Sequence, residues 1–435
     1  MDSKTKQLLL NHYSHKELSA RFDRQEFTLF LSQALFSSHE IDQGSRLLLK
    51  SLAAEADFKH ITSLLDIGCG VGTLGLALKK RHPGIRAVLQ DRDALAAAFS
   101  RINAGCNGID DTVILGGLAF QDLGHQSFDL IVSNVPAKVG APVLRFFYEK
   151  IREGLSDHGM AAIVVVNQIA DLTLSVLSSV QARILYRESA ASHTVIHFDR
   201  GEIDRRASCS AENREIIPQG PLPAGIQREK DLAELAENLR PYFRSRLRFS
   251  VGRTAYTLDT VWGEADFDTP PYTARLTARV LSSIHPGEEL LFWNTGQGHI
   301  PVMTTLQTRG KGLVPKRIVC AGRDMLALQI TCHNLTLCTD RDTDIRLLHI
   351  PDPGLLDTAE TGICSLFVLK CENLSGVPGP RAVFSAAARV LRQNGILLIA
   401  GKSAHVHNYK HREYPFTLIT EKKHHGYRVV ALKRL

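Results

Sequence analysis

Three glycines at alternate positions, Gly68, Gly70 and Gly72, follow the short apolar run Leu64-Leu65-Asp66-Ile67, and a second acidic residue, Asp91, ends the run Ala87-Val88-Leu89-Gln90. Glycine admits the positive φ angles of a sharp bend and lets backbone N–H groups approach a ligand, with the positive end of the next helix behind them. An acidic side chain at the tip of the following strand is placed to accept hydrogen bonds from ribose hydroxyls. The spacing narrows the chemistry, because Gly-x-Gly-x-Gly after Asp-Ile is not the Gly-x-Gly-x-x-Gly that aims helix N–H groups at a pyrophosphate. The Asp66 carboxylate repels a pyrophosphate and suits a cationic ligand.

Regular elements must hold these groups in place, and the hydrophobic pattern supplies them. It predicts a helix near Gly44 to Ala54, a strand over Ser63 to Ile67, a helix over Thr73 to Arg81, a strand over Arg86 to Gln90 and a helix over Ala94 to Ala104. A strand over Leu130 to Ser133, a helix over Val143 to Leu155, a strand over Ala161 to Val166 and a helix over Ile169 to Ser178 follow. Gln181 to Arg187 and Ser192 to Phe198 close the series as a hairpin turning at Ala190-Ala191. Strands alternating with helices give an α/β fold with a mostly parallel sheet covered on both faces.

The pattern is written twice. Leu290-Leu291-Phe292-Trp293-Asn294-Thr295-Gly296-Gln297-Gly298 aligns with the stretch from Leu64, setting Gly296 on Gly68 and Gly298 on Gly70, 228 residues apart. Gly322-Arg323-Asp324 and Asn334 answer Asp91-Arg92-Asp93 and Asn103 at a separation of 231, and Leu391 to Gly395 answers Leu155 to Gly159 at 236. In this alignment Asn294 replaces Asp66, Ile300 replaces Gly72 and Gly322 replaces Asp91, so the second copy is expected to hold no cofactor. A polar stretch with Pro218, Gly220, Pro221, Pro223 and Gly225 separates the copies. The expected organisation is a ligand-binding domain over 1–200, a linker over 201–230 and a degenerate domain over 231–435.

The segment Leu64 to Gly72 with Asp91 resembles motifs I and II of class I S-adenosylmethionine (SAM) methyltransferases. The lead-in Phe36-Ser37-Ser38-His39-Glu40-Ile41-Asp42-Gln43-Gly44-Ser45-Arg46-Leu47-Leu48-Leu49 and the stretch Phe128-Asp129-Leu130-Ile131-Val132-Ser133-Asn134-Val135-Pro136-Ala137 resemble the "methyltransferase small" family, which holds ribosomal RNA guanine-N2 methyltransferases. The resemblance implies two tandem Rossmann-like methyltransferase domains, each a mostly parallel sheet ending in an antiparallel hairpin, with the second degenerate. It implies SAM held by Asp66, Gly68, Gly70, Gly72, Asp91 and Asn134, and catalysis at Asn134 and Pro136, where an Asn oxygen and the carbonyl of Val135 accept the two hydrogens of a base amine. Two departures stand out. Val135 takes the place of the family's first proline and Ala137 that of its aromatic, which in the family stacks on a flipped-out base. Phe120, Phe146 and Phe147 are the candidate replacements, Asp122 is the candidate contact to adenine, and Lys138 could meet a phosphate. In the guanine-N2 relatives with tandem copies the first copy is the degenerate one, the reverse of the order here.

Composition bounds the rest. A chain of 435 residues, 44% hydrophobic and 22% charged, describes a globular protein of two or three domains. No run approaches the ~18 apolar residues of a membrane span, the opening residues have no secretory pattern, and eight cysteines without a Cys-x-x-Cys pair fit reduced thiols. A cytoplasmic location is expected. The net charge of +7 favours a polyanion, and Arg244, Arg246 and Arg248, alternating on one predicted strand face, are candidate RNA contacts beside a basic tail from Lys402 onward. His405, His407, His411, His424 and His425 lack accompanying carboxylates or cysteines at ligand spacing, so no metal is expected. The leading expectation is a SAM-dependent methyltransferase of ribosomal RNA at a guanine N2. The alternatives are methylation of a small molecule or protein side chain, and a non-catalytic RNA-binding or assembly factor.

Overall fold

The computed structural model describes residues 1–23, 25–36, 39–124, 126–137, 139–201, 237–371, 380–410 and 415–435. The expected linker at 201–230 lies almost wholly outside them. Among the described residues, no helix is long and apolar enough to cross a membrane.

The first half opens with a helix, α1 (Ser3–Tyr13), and a hairpin of β1 (Ser14–Phe22) and β2 (Gln25–Ser32). Next come α2 (Gln43–Glu55), β3 (Ser63–Ile67), α3 (Thr73–Arg81), β4 (Arg86–Asp91), α4 (Ala94–Cys106) and β5 (Val113–Gly116). Then β6 (Phe128–Asn134), α5 (Ala141–Gly154), β7 (Leu155–Val166), α6 (Ala170–Ser179), β8 (Arg183–Ser189) and β9 (His193–Asp199) complete it. The strands form one seven-stranded sheet ordered β5-β4-β3-β6-β7-β9-β8, parallel from β5 through β7 and antiparallel in the closing hairpin. All five residues of β3 are buried because helices cover both faces of the sheet. Leu64, Leu65 and Ile67 each contribute roughly 1.5–3 kcal/mol of burial there. The α2 and α4 helices start on Asp42 and Asp93, whose carboxylates accept from the N–H groups of Ser45 and Leu95.

The second half repeats the plan. A hairpin of β10 (Phe243–Val251) and β11 (Thr254–Val261) precedes α7 (Tyr272–Leu281), β12 (Glu289–Trp293), α8 (His299–Gly310), β13 (Arg317–Gly322), α9 (Met325–Thr336) and β14 (Asp344–His349). It continues with β15 (Cys364–Lys370), α10 (Pro380–Val390), β16 (Leu391–Lys402), β17 (Phe416–His424) and β18 (Tyr427–Arg434), and its sheet order β14-β13-β12-β15-β16-β18-β17 matches the first. The opening hairpins belong to the duplication too. Both shift register near their start, at Ser14/Lys16 and at Phe243/Ser245.

The structure corrects the alignment of the two glycine bends. Gly298 caps α8 with φ 95° as Gly72 caps α3 with φ 89°, a separation of 226 rather than 228. Gly296 (φ 57°) then matches Gly70 (φ 58°) and Asn294 (φ 61°) matches Gly68 (φ 72°). Phe292 therefore stands in the place of Asp66, and Ile300 lies inside the helix instead of replacing Gly72.

A buried asparagine fastens each hairpin to its bend. Asn103 on α4 accepts from Phe30 N–H at 2.8 Å through Oδ1, and its Nδ2 donates to the Val71 carbonyl at 2.8 Å. Asn334 does the same between Asp259 and Gln297. The halves then meet across an approximate two-fold axis, where Ala94 N–H donates to the Arg323 carbonyl at 2.8 Å and Met325 N–H to the Arg92 carbonyl at 3.0 Å. Leu118 and Val143 of the first half pack with Leu326 and Ile330 of the second in the same seam. Asn103→Ala leaves the Val71 carbonyl and the Phe30 N–H buried without these partners, so we expect a loss of roughly 2–4 kcal/mol in denaturant-unfolding stability. A loss below about 0.5 kcal/mol would show that the asparagine is not the fastening.

Candidate functional site

The bend between β3 and α3 turns with positive φ at all three glycines. A Cβ at Gly68 or Gly70 would meet nothing within 4 Å, whereas one at Gly72 would strike Leu76 at 2.6 Å. The first two glycines thus border open space at the C-terminal edge of the sheet, and the third serves the packing of α3. Gly68 N–H donates to the Gln90 carbonyl at 2.8 Å and Gly70 N–H to Asp91 Oδ2 at 2.9 Å, which ties the bend to the tip of β4. Cys69 is buried, beside Ser100, as a small filler.

Asp66 lies fully buried below the bend. Its Oδ2 accepts from Gly75 N–H at 2.8 Å, while its Oδ1 has no hydrogen-bond partner. Burial, with a smaller push from the Asp91 charge, raises its carboxyl to about 7 against the lowering effect of the Gly75 bond. Asp91 accepts from Asp93 N–H through Oδ1 at 2.8 Å, and burial followed by the Asp93 charge raises it to about 6. An orphaned buried carboxylate oxygen, a second carboxylate above it and two unobstructed glycines suit a ligand that carries positive charge and hydroxyl donors.

Asn134 ends β6 on the far side of the bend. Its Nδ2 donates to Asp42 Oδ1 at 2.9 Å and to Ser45 Oγ at 3.3 Å. A carboxylate can only accept, so this pairing fixes the amide orientation and turns Oδ1 away from Asp42. Asp42 and Ser45 stood in the lead-in without a role of their own; their hold on Asn134 comes from contacts distant in sequence, that of Asp42 spanning 92 residues. Pro136 and Ala137 are exposed beyond it, and Lys138 lies outside the described residues.

None of the three candidate aromatics lies free beside Asn134. Phe120 meets Phe147 edge-on at 6.2 Å and both pack on the buried cluster under α5, while Phe146 packs against Tyr242 at the seam between the halves. Asp122 stays near the expected adenine end, its Oδ2 3.8 Å from where a Cβ of Gly117 would stand.

The arginines alternate on β10 as expected, but two are engaged by carboxylates. Arg246 pairs with buried Asp259 at 2.7 Å, and Arg244 pairs with Asp268 at 2.5 Å while lying 3.7 Å from the Phe267 ring centre. Burial pushes the Asp259 carboxyl up, yet its bonds from Arg246 and His333 hold it below the ordinary carboxylate value. Arg248 is exposed. Among the described residues no group of three or more His, Cys, Asp or Glu side chains could hold a metal ion; His411 lies outside them.

The second bend lacks the chemistry of the first. Phe292, Gly322 and Lys370 occupy the places of Asp66, Asp91 and Asn134. The Lys370 ammonium lies 3.6 Å from where a Cβ of Gly296 would stand and 3.5 Å from Asp266 Oδ2, so an internal cation covers the bend.

Fold and site together define a tandem pair of methyltransferase-type Rossmann domains, the first with Asp66 and Asp91 at its bend and the second with neither carboxylate. Residues 26–182 match the family model of the methyltransferase small domain. Over 123 residues the chain is 38% identical to the ribosomal RNA small subunit methyltransferase C of Aeromonas hydrophila, covering 28% of this chain and 33% of that protein. Over 145 residues it is 34% identical to the same-named protein of Pseudomonas syringae pv. tomato, covering 32% and 42%. The match thus spans less than half the length of these curated relatives. The 16S rRNA N2 G1207 methyltransferase of T. thermophilus, solved with AdoMet and guanosine, superposes over 98% of this chain and 99% of its own at a TM-score of 0.60 and 13% identity, which establishes the shared tandem fold.

The raised carboxyls make ligand-free stability depend on pH. A folded-state value near 7 for Asp66 exceeds the ~3.9 of an unfolded chain, so the folded state binds more protons between them and stability falls as pH rises through that window. Asp66→Asn keeps an acceptor for Gly75 N–H without the buried charge. We expect it to melt higher than the unaltered protein at pH 8 and to differ little at pH 4. Equal melting temperatures at pH 8 would show that Asp66 is not strained by its burial.

Proposed function

We propose that the chain is a SAM-dependent methyltransferase whose acceptor is the N2 amine of a guanine in small-subunit ribosomal RNA. The observation that carries this reading is Asn134, whose amide nitrogen is held by Asp42 and Ser45 so that its oxygen is left to accept from an amine. SAM, when bound, supplies a methyl group already activated on a sulfonium sulfur. The protein then has to position the amine and exclude water.

We assign these tasks residue by residue. Asp91 accepts from ribose hydroxyls, Gly68 and Gly70 let the ligand lie against the bend, and Asp66 faces its cationic end. Asn134 Oδ1 and the Val135 carbonyl accept the two amine hydrogens, which favours the pyramidal nitrogen whose lone pair attacks. Pro136 stiffens the backbone after them. The names of the matched relatives, and the guanosine in the structure of similar fold, support the RNA acceptor. The second half, with Lys370 over its bend, takes part through the substrate rather than through a second cofactor.

Ala137 in place of an aromatic favours a second reading, in which a small molecule or a protein side chain is methylated, because no stacking platform follows Pro136. Transfer of labelled methyl from SAM to small ribosomal subunits, bulk protein and metabolite fractions separates the two; no labelled fraction together with intact SAM binding would mark a non-catalytic factor. By calorimetry, Asp91→Ala should abolish measurable SAM binding. Asn134→Ala should lower kcat by roughly 100-fold, the usual cost of losing a group that acts at the transition state. Full activity of Asn134→Ala would remove the mechanism.

Of the β10 arginines we assign phosphate contact chiefly to Arg248, since Arg244 and Arg246 face carboxylates. Arg248→Ala should lower RNA affinity and reduce the slope of log affinity against log salt by about one unit or less. A slope equal to that of the unaltered protein both in this variant and on replacing all three arginines would take this strand out of the interface, whereas a fall only in the triple variant would return the contact to all three.

A further inference from the structure

The two halves exchange arginines. Arg323, at the start of α9, reaches across the seam, where its Nη2 contacts Asp93 Oδ2 at 2.5 Å and donates to the Ala34 carbonyl at 3.1 Å; its Nε donates to Asp93 Oδ1 at 3.1 Å. Arg92, at the matching place in the first half, returns the contact. Its Nη2 lies 3.1 Å from Asp324 Oδ2 and donates to the Gly263 carbonyl at 3.1 Å. Ala34 and Gly263 correspond in the two copies, as do Asp93 and Asp324, so each guanidinium clasps the same two points of the opposite half. His349 lies on the axis, its Nε2 2.9 Å from the Arg92 carbonyl and 2.7 Å from that of Arg323.

The clasp made by Arg323 lands on Asp93, beside the bend in the first half. Asp93 is the cap of α4, and its N–H holds Asp91 Oδ1. Arg323 is itself 7% exposed, so its charge acts on Asp93 with little screening by water.

We propose that Arg323 of the second half is a positioning residue for the cofactor site of the first half, acting through Asp93 on the ribose-binding Asp91. This rests on the SAM-binding reading of the first bend. The degenerate copy thereby completes the site it does not contain.

The charge arrangement gives the proposal a signature. Asp91 is faced by Asp93 and Arg92 from the start of α4, by Asp66 from β3 and by Cys69 from the bend. Arg323 neutralises Asp93 and so weakens its repulsion of an ionised Asp91. SAM affinity should fall as pH drops through the Asp91 value, because a protonated carboxyl accepts ribose hydroxyls less well. Removing Arg323 leaves Asp93 unopposed and moves that acid limb to higher pH. Removing the charge of Asp93 moves it to lower pH.

Calorimetric titration of the full chain with SAM across pH 5–8 tests this, alongside thermal melts of each ligand-free protein. Arg323→Met should raise Kd about tenfold or more at neutral pH, the scale of one lost charged hydrogen-bond pair. Arg323→Lys should recover part of that loss. The acid limb should shift upward in Arg323→Met and downward in Asp93→Asn, each by on the order of half a pH unit. A purely structural seam would weaken binding in both variants without opposite shifts, and that result overturns the proposal. Binding by Arg323→Met within about twofold of the unaltered chain overturns it too. If Arg323→Met does not fold, the Asp93→Asn shift and the Arg323→Lys affinity decide the matter. Failure of the unaltered chain to bind SAM would instead bring down the reading of the site itself, and the inference with it.

Discussion

Everything at the site depends on a backbone that must turn with positive φ between β3 and α3 while its carbonyls find partners away from any sheet ladder. The first half solves this with α4. Ser100 Oγ donates to the Gly70 carbonyl at 2.9 Å and Asn103 Nδ2 to the Val71 carbonyl, and Asn103 also captures the edge of β2. A buried carbonyl left unpaired costs about 1–3 kcal/mol, so these side chains are part of the bend rather than additions to it. Bend, helix and hairpin form one hydrogen-bonded unit, and the open space over Gly68 and Gly70 exists because that unit holds the backbone back.

The second half shows which parts of this unit belong to architecture. It retains Gly296 and Gly298 at the last two bend positions, Thr331 donating to the Gly296 carbonyl at 3.1 Å, and Asn334 in the place of Asn103. It lacks all three chemical groups, having Phe292, Gly322 and Lys370 where Asp66, Asp91 and Asn134 stand. Phe292 relieves the copy of a buried carboxylate that costs stability whenever it is ionised. The residues that persist in both copies are those whose loss would leave a bend carbonyl unpaired or an impossible φ, and those that differ are Asp66, Asp91 and Asn134, the groups we assign to the ligand.

Much of this was legible in the residues. The spans of β3 and α3 follow directly from an apolar run ending in glycines and the Leu- and Ala-rich stretch after them that ends in Lys79, Lys80 and Arg81, and Asp66, Asp91 and Asn134 come out around one bend. Other features were hidden for identifiable reasons. The first opening hairpin carries Lys16, Glu17 and Ala20, residues of weak strand preference, whereas in the second the alternating arginines of β10 had already marked a strand. The misplaced alignment of the second bend came from matching glycine to glycine. Asparagine tolerates the left-handed region better than other residues with a Cβ, so Asn294 takes the conformation of Gly68 and the true correspondence is conformational. The Asp42 to Asn134 contact and the crossed arginines are tertiary, with no local pattern to announce them, although the repeated Arg-Asp pair at 92–93 and 323–324 stood in the sequence.

The crossed arginines also bear on why a copy without binding groups keeps its place in the chain. A guanidinium buried at a seam is expensive unless it is paired, and breaking a buried pair by removing one partner costs about 3–5 kcal/mol. Each half here supplies the arginine that satisfies the other half's helix cap and the carbonyl at the end of its hairpin. Loss of the second half would leave Asp93 without its counter-charge beside Asp91, two carboxylates pressed together at the edge of the bend. The second half thus differs from the first at the positions of Asp66, Asp91 and Asn134 and still carries Arg323, the side chain that meets the first half's helix cap.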